Sequence, residues 1–110
     1  MYGCNNNNKP EECRIFPLML SKLNKAFYFG YCKFGVQKSK DQTARVSLYK
    51  ELKTCPNIFT MESTFSGMDY GDYKGKHITQ DILESVGRDL CRTLLIYDNI
   101  HIPEEVKDYF

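Results

Sequence analysis

The sequence predicts an α/β fold, a single small domain in which helices pack on the face of a sheet. Three observations predict it. After Thr79, the residues Ile82, Leu83, Val86, Leu90 and Leu94, with Cys91 in reach of the same stripe, recur at the three- and four-residue steps of a helix that buries one face. Three segments upstream, residues 28–37, 44–52 and 57–64, are rich in aromatic and β-branched side chains with rough alternation, the pattern of strands. A chain of 110 residues has room for one hydrophobic core and no more.

In chain order, residues 5–12 hold four consecutive asparagines and then Lys9, Pro10, Glu11 and Glu12; they have little to bury and predict a surface loop. Residues 15–27 place Phe16, Leu20 and Leu23 at helical spacing, with Pro17 near the first turn, where its missing N–H costs nothing. A strand is expected over 28–37 (Phe29, Tyr31, Lys33, then Phe34 and Val36), and a polar loop over 38–43. Residues 44–52, with Val46, Leu48 and Tyr49 among polar neighbours, and residues 57–64 read as two further strands, separated by a break at Pro56. Three glycines and several polar turn formers make 67–76 a loop of the kind that often carries function. Thr79 caps the long helix. The tail, 99–110, suggests no definite element. No repeat of 20 to 50 residues is visible, which excludes solenoids and propellers.

Charge and cysteine usage narrow the function classes. A net charge of +1 supplies no basic field for a phosphate backbone, which argues against nucleic acid as a partner. The five cysteines, Cys4, Cys13, Cys32, Cys55 and Cys91, are irregularly spaced with no Cys-x-x-Cys pair, and they read as reduced thiols. No apolar run approaches the roughly 20 residues that span a bilayer, and residues 1–9 lack the basic start and apolar core of a signal peptide, so no membrane association is expected and a cytoplasmic location fits best.

Five segments carry a resemblance: residues 1–4 (MYGC), 15–22 (IFPLMLSK), 38–46 (KSKDQTARV), 60–65 (TMESTF) and 73–75 (YKG). In order and approximate spacing they resemble the cytosolic carboxypeptidases, a subfamily of the zinc metallocarboxypeptidases. The resemblance runs from Met1 to about Tyr97. It implies the C-terminal half of a mixed-sheet catalytic domain over residues 1–97, with 98–110 as a tail. It also implies a zinc cofactor whose ligands, a His-x-x-Glu pair and a later histidine, fall upstream of Met1. The chain is then expected to be a fragment or a truncated product. His101 and Glu104 match His-x-x-Glu on paper but come after the catalytic segment, and no third histidine follows them; His77 lacks a partner carboxylate at the right step. Both histidines read as surface residues.

The same resemblance makes Glu62 the general base and acid of peptide hydrolysis, taking a proton from a zinc-bound water and returning it to the leaving amine. It makes Arg45 the residue that selects an acidic terminal side chain, a task for which a planar guanidinium fork suits a carboxylate better than an ammonium does. Lys38 and Lys40 lie in the same segment and read as solvated loop residues that add positive potential. The implied partners are acidic peptide or protein C-termini ending in glutamate, such as tubulin tails. Phe59 departs from the family pattern, where tyrosine is commoner just before Thr-Met-Glu. A competing reading is a non-catalytic module that binds acidic tails or a protein partner through the Arg45 region.

Overall fold

The computed structural model describes residues 1–64 and 66–99. The tail, with His101 and Glu104, lies outside the described residues, as does Phe65. Three α-helices are present, α1 (Glu12–Leu23), α2 (Ala44–Glu51) and α3 (Gln80–Tyr97), with short 3-10 turns at Phe29–Tyr31, Lys38–Lys40 and Gly71–Tyr73. The chain divides into two compact units, one of Met1–Leu18 with Tyr28–Ser63 and one of Met19–Phe27 with Thr64–Phe110.

Within the first unit, the expected strand over 44–52 is a helix instead. Val46 and Tyr49 stand three residues apart, so with Arg45 they share one helical face. Arg45 and Val46 are buried, while Leu48 on the other side is half exposed. The apparent alternation of Val46 and Leu48 competed with that three-residue spacing and with good helix formers at Ala44, Arg45, Lys50 and Glu51, and the helix won. The strands expected over 28–37 and 57–64 also do not form as such. Among the described residues of this unit, β-pairing is confined to single bridges, Tyr2 with Lys33 in parallel and Tyr2 with Thr60 in antiparallel sense. The bridges rest on close backbone bonds, Tyr2 N to Thr60 O at 2.8 Å, Thr60 N to Tyr2 O at 2.9 Å and Gly3 N to Lys33 O at 2.8 Å.

These bridges nonetheless impose the pleat of a sheet, in which paired residues share a face and their neighbours take the other. On the core side stand Phe34, Gly3 and Phe59, with Phe59 stacked on Phe16 at 5.9 Å. A Cβ on Gly3 would lie 2.8 Å from the Phe34 ring and 3.1 Å from the Phe59 ring, so the two aromatics close over a position that only glycine fills. Cys4, Cys13, Phe16, Pro17, Phe34, Val46 and Ile58 make this unit's core. Pro17 sits inside α1 and not in its first turn, so the Cys13 carbonyl receives no bond from it.

The second unit is organised around α3. Thr79 caps it as expected, its hydroxyl accepting from Ile82 N at 3.3 Å. The buried face differs from the expected stripe, because Leu83 and Leu94 are nearly half exposed while Asp89 and Thr93 are buried. Asp89 explains the rotation. Its carboxylate accepts from Asn24 Nδ2 at 2.8 Å and pairs with Arg88 and Arg92 at 3.2 and 3.3 Å, and Thr93 Oγ1 donates to its backbone carbonyl at 2.7 Å. Burial alone would raise this carboxyl, but the hydrogen bonds from Arg88, Asn24 and Arg92 outweigh it and hold the group below the ordinary range. Leu20, Phe27 and Met68 supply the apolar part of this core. The loop over 67–76 is closed by Met68 N to Lys76 O and Gly75 N to Met68 O, both 2.9 Å, with Gly71 and Gly75 at positive φ.

Candidate active site

The pleat described above has a second, polar face, and it lines a cleft. The three paired residues Lys33, Tyr2 and Thr60 all border a cavity of about 340 Å³, and so do Gly35 and Glu62, two positions further on. The 3-10 turn Lys38–Lys40 and the start of α2 close the opposite wall with Lys40, Thr43 and Arg45. Both site residues expected from the sequence, Glu62 and Arg45, therefore border one cleft within one compact unit.

They are held very differently. Arg45, the second residue of α2, is 8% exposed. One of its Nη atoms donates to the Gly3 carbonyl, and its guanidinium lies 5.8 Å from the centre of the Tyr2 ring. A guanidinium has five N–H donors, so the bond to Gly3 leaves others for a ligand. Glu62 is exposed and lies in an irregular segment, not on the strand expected for it. Of the two lysines in the 38–46 segment, Lys40 borders the cleft and Lys38 does not.

Thr43 precedes α2 without a side-chain cap, so the first amides of that helix add their partial positive charge next to Arg45. With Lys33, Lys40 and Arg45 against the single carboxylate of Glu62, the lining favours an anionic ligand. The sequence pointed to Arg45 and Glu62 but not to Tyr2 or Lys33 as lining residues. The signal that could have found them was the two-residue step linking Lys33 to Gly35 and Thr60 to Glu62, which becomes meaningful only once residues 1–4 are known to pair between the two segments.

Two buried thiols belong to the same unit as the cleft. Burial pushes the Cys4 thiol up, with the nearby Arg45 charge pulling against it, and burial likewise raises Cys13. The residues also do not fit the zinc ion that the resemblance implies. An open catalytic zinc takes three protein ligands, and among the described residues no group of three or more His, Cys, Asp and Glu side chains comes together to hold a metal. His77 is exposed in the second unit. No described helix is long and apolar enough to cross a membrane.

Comparison with known proteins identifies the lineage. Cytosolic carboxypeptidase 2 of Xenopus tropicalis is 46% identical over 101 residues, covering 88% of this chain and 10% of the relative. Cytosolic carboxypeptidase 3 of Bos taurus is 42% identical over 114 residues, 99% of this chain and 11% of the relative. Cytosolic carboxypeptidase 2 of Homo sapiens is 41% identical over 110 residues, 97% of this chain and 12% of the relative. No family model matches the chain, and no solved structure gives a significant match. The chain spans about a tenth of the length of these curated relatives, and over that span it belongs to the cytosolic carboxypeptidase family.

Proposed function

We propose that this chain supplies the substrate-binding and proton-transfer part of a cytoplasmic zinc carboxypeptidase that removes C-terminal glutamate from acidic tails, those of tubulin among them. The observation that carries the reading is the shared cleft of Glu62 and Arg45. Arg45, fixed by the Gly3 carbonyl and the Tyr2 ring, presents guanidinium donors to the carboxylate of an acidic terminal residue, where charge-assisted bonds are strongest. Glu62, open to solvent at the same cleft, takes a proton from water and returns it to the departing amine. The zinc would be held by residues outside the described ones, and the mixed sheet and the catalytic-domain boundary at residue 97 belong to the same proposal.

The cationic lining of Lys33, Lys40 and Arg45 also supports a second reading, a module that binds acidic C-termini without cleaving them. One assay separates the two. Peptides ending in glutamate or alanine are incubated with zinc and the full-length protein that carries this segment, and release of the terminal residue is followed by mass spectrometry. Release of glutamate, lowered about 100- to 10,000-fold by Glu62→Gln, supports the enzyme. Hydrolysis that is indifferent to Glu62→Gln removes Glu62 from the mechanism. Binding of the glutamate peptide without release moves the second reading to the front.

A further inference from the structure

We propose that Lys33 is a specificity-determining residue of the cleft, binding the acidic side chain of the residue next to the C-terminal one. This rests on the proposed binding of an acidic terminal residue at Arg45 and extends it by one position along the substrate.

The argument is one of register and depth. Lys33 and Tyr2 are bridge partners, so their side chains rise from the same face, and both border the cleft. The Arg45 guanidinium lies 5.8 Å from the Tyr2 ring centre. The two cations thus neighbour one tyrosine, Lys33 through its backbone pairing and Arg45 over the ring. Their burial differs sharply. Arg45 is 8% exposed and anchored to Gly3, whereas the Lys33 side chain is exposed. On this proposal a chain end held at the buried guanidinium runs out toward solvent, and its preceding residue meets the exposed Lys33 that borders the same cavity. The Lys33 backbone is tied on both sides, its N–H donating to Met1 O at 3.1 Å and its carbonyl accepting from Gly3 N at 2.8 Å, so the root of the side chain is fixed. Only the side chain is left to adapt, which suits a flexible, strongly hydrated ammonium reading a second carboxylate without strict geometry.

An exposed pair of this kind has a modest and salt-sensitive effect. The test measures binding of labelled peptides ending Glu-Glu, Ala-Glu and Ala-Ala to the 110-residue chain by fluorescence anisotropy, at low and high salt. Lys33→Gln is compared with Lys53→Gln, an exposed lysine outside this cleft. The expected result is a preference for Glu-Glu over Ala-Glu of about two- to five-fold at low salt, on the scale of an exposed ion pair, shrinking at high salt. Lys33→Gln abolishes that preference, lowering Glu-Glu binding more than Ala-Glu binding, and Lys53→Gln leaves the preference in place. If the preference survives Lys33→Gln, or falls equally in Lys53→Gln, the role of Lys33 is overturned while terminal binding at Arg45 stands. If Ala-Glu binds no better than Ala-Ala, or no peptide binds, the reading at Arg45 fails and the extension fails with it.

Discussion

Arg45 and Gly3 act as one device although 41 other positions separate them in the chain. The Gly3 carbonyl accepts from the Arg45 guanidinium, and the absence of a side chain on Gly3 lets Phe34 and Phe59 close beneath the pleat. A methyl at residue 3 meets the Phe34 ring at 2.8 Å, and Phe34 is buried, so the ring must move or the backbone must. Gly3→Ala is expected to cost about 1–3 kcal/mol of stability, the usual range for overpacking. It should also weaken binding of a glutamate-ending peptide, because the carbonyl that steadies Arg45 shifts with it. Thermal unfolding and peptide anisotropy on the same variant check both effects. A variant with unchanged melting temperature and affinity would show that the Gly3 contact is incidental.

At the scale of elements, α3 is positioned by a polar anchor more than by its leucines. Asp89 and Asn24 are both buried and bonded to each other, and Asn24 also reaches Ser85 Oγ at 3.1 Å. This arrangement makes the second unit sensitive to acid. A carboxyl held below its ordinary range contributes stability that is complete above the unfolded value, about pH 4, and lost as pH falls through the lower folded value. The unfolding midpoint is therefore expected to be flat with respect to this group above about pH 5 and to drop below pH 4. Asp89→Asn should remove part of that drop and cost about 1–3 kcal/mol at neutral pH through the lost charge-assisted bonds. Circular dichroism melts of both proteins across pH 2.5 to 7, about the window in which carboxylates titrate, measure it. A parallel acid response in the two proteins would assign the sensitivity to other carboxylates. The exposed Lys25–Asp72 pair at 2.8 Å is a contrast, since solvent screens it on both sides.

At the scale of the whole molecule, the apolar side chains left in solvent dominate behaviour. On α3, Leu83 and Leu94 are 46% and 49% exposed and stand eleven residues apart, three turns along one face, and Ile96 is exposed as well. On α1, Ile15, Leu18 and Leu23 are also more than two-fifths exposed. Apolar residues repeated along a helix face favour contact with another surface over contact with water. The 110-residue chain is expected to self-associate with rising concentration, and replacing Leu83 and Leu94 together by glutamine should reduce that association without unfolding α3. Sedimentation velocity over a tenfold concentration range reads the outcome directly. A concentration-independent monomer would mean that these side chains are satisfied in solvent.

What the sequence alone determined is the part of the protein governed by local chemistry and by lineage. Thr79 and the long helix after it, the glycine-rich loop over 67–76 and membership of the cytosolic carboxypeptidase family were all legible, because a cap, a turn and a motif are written in adjacent residues. Tertiary structure decided the rest. Residues 44–52 satisfied two periodicities at once, and only the tertiary structure shows that as a helix they bury Arg45 and Val46 together. The face of α3 that turns inward carries Asp89, bonded to Asn24 far away in sequence, while Leu83 is left nearly half exposed. The cleft itself exists because residues 1–4 pair between two segments that lie some thirty and sixty residues further on, an event that no local window contains. Adjacent residues set local propensity, but which side chains meet depends on contacts between segments remote in the chain, and those contacts brought Glu62, Arg45 and Lys33 to one cavity.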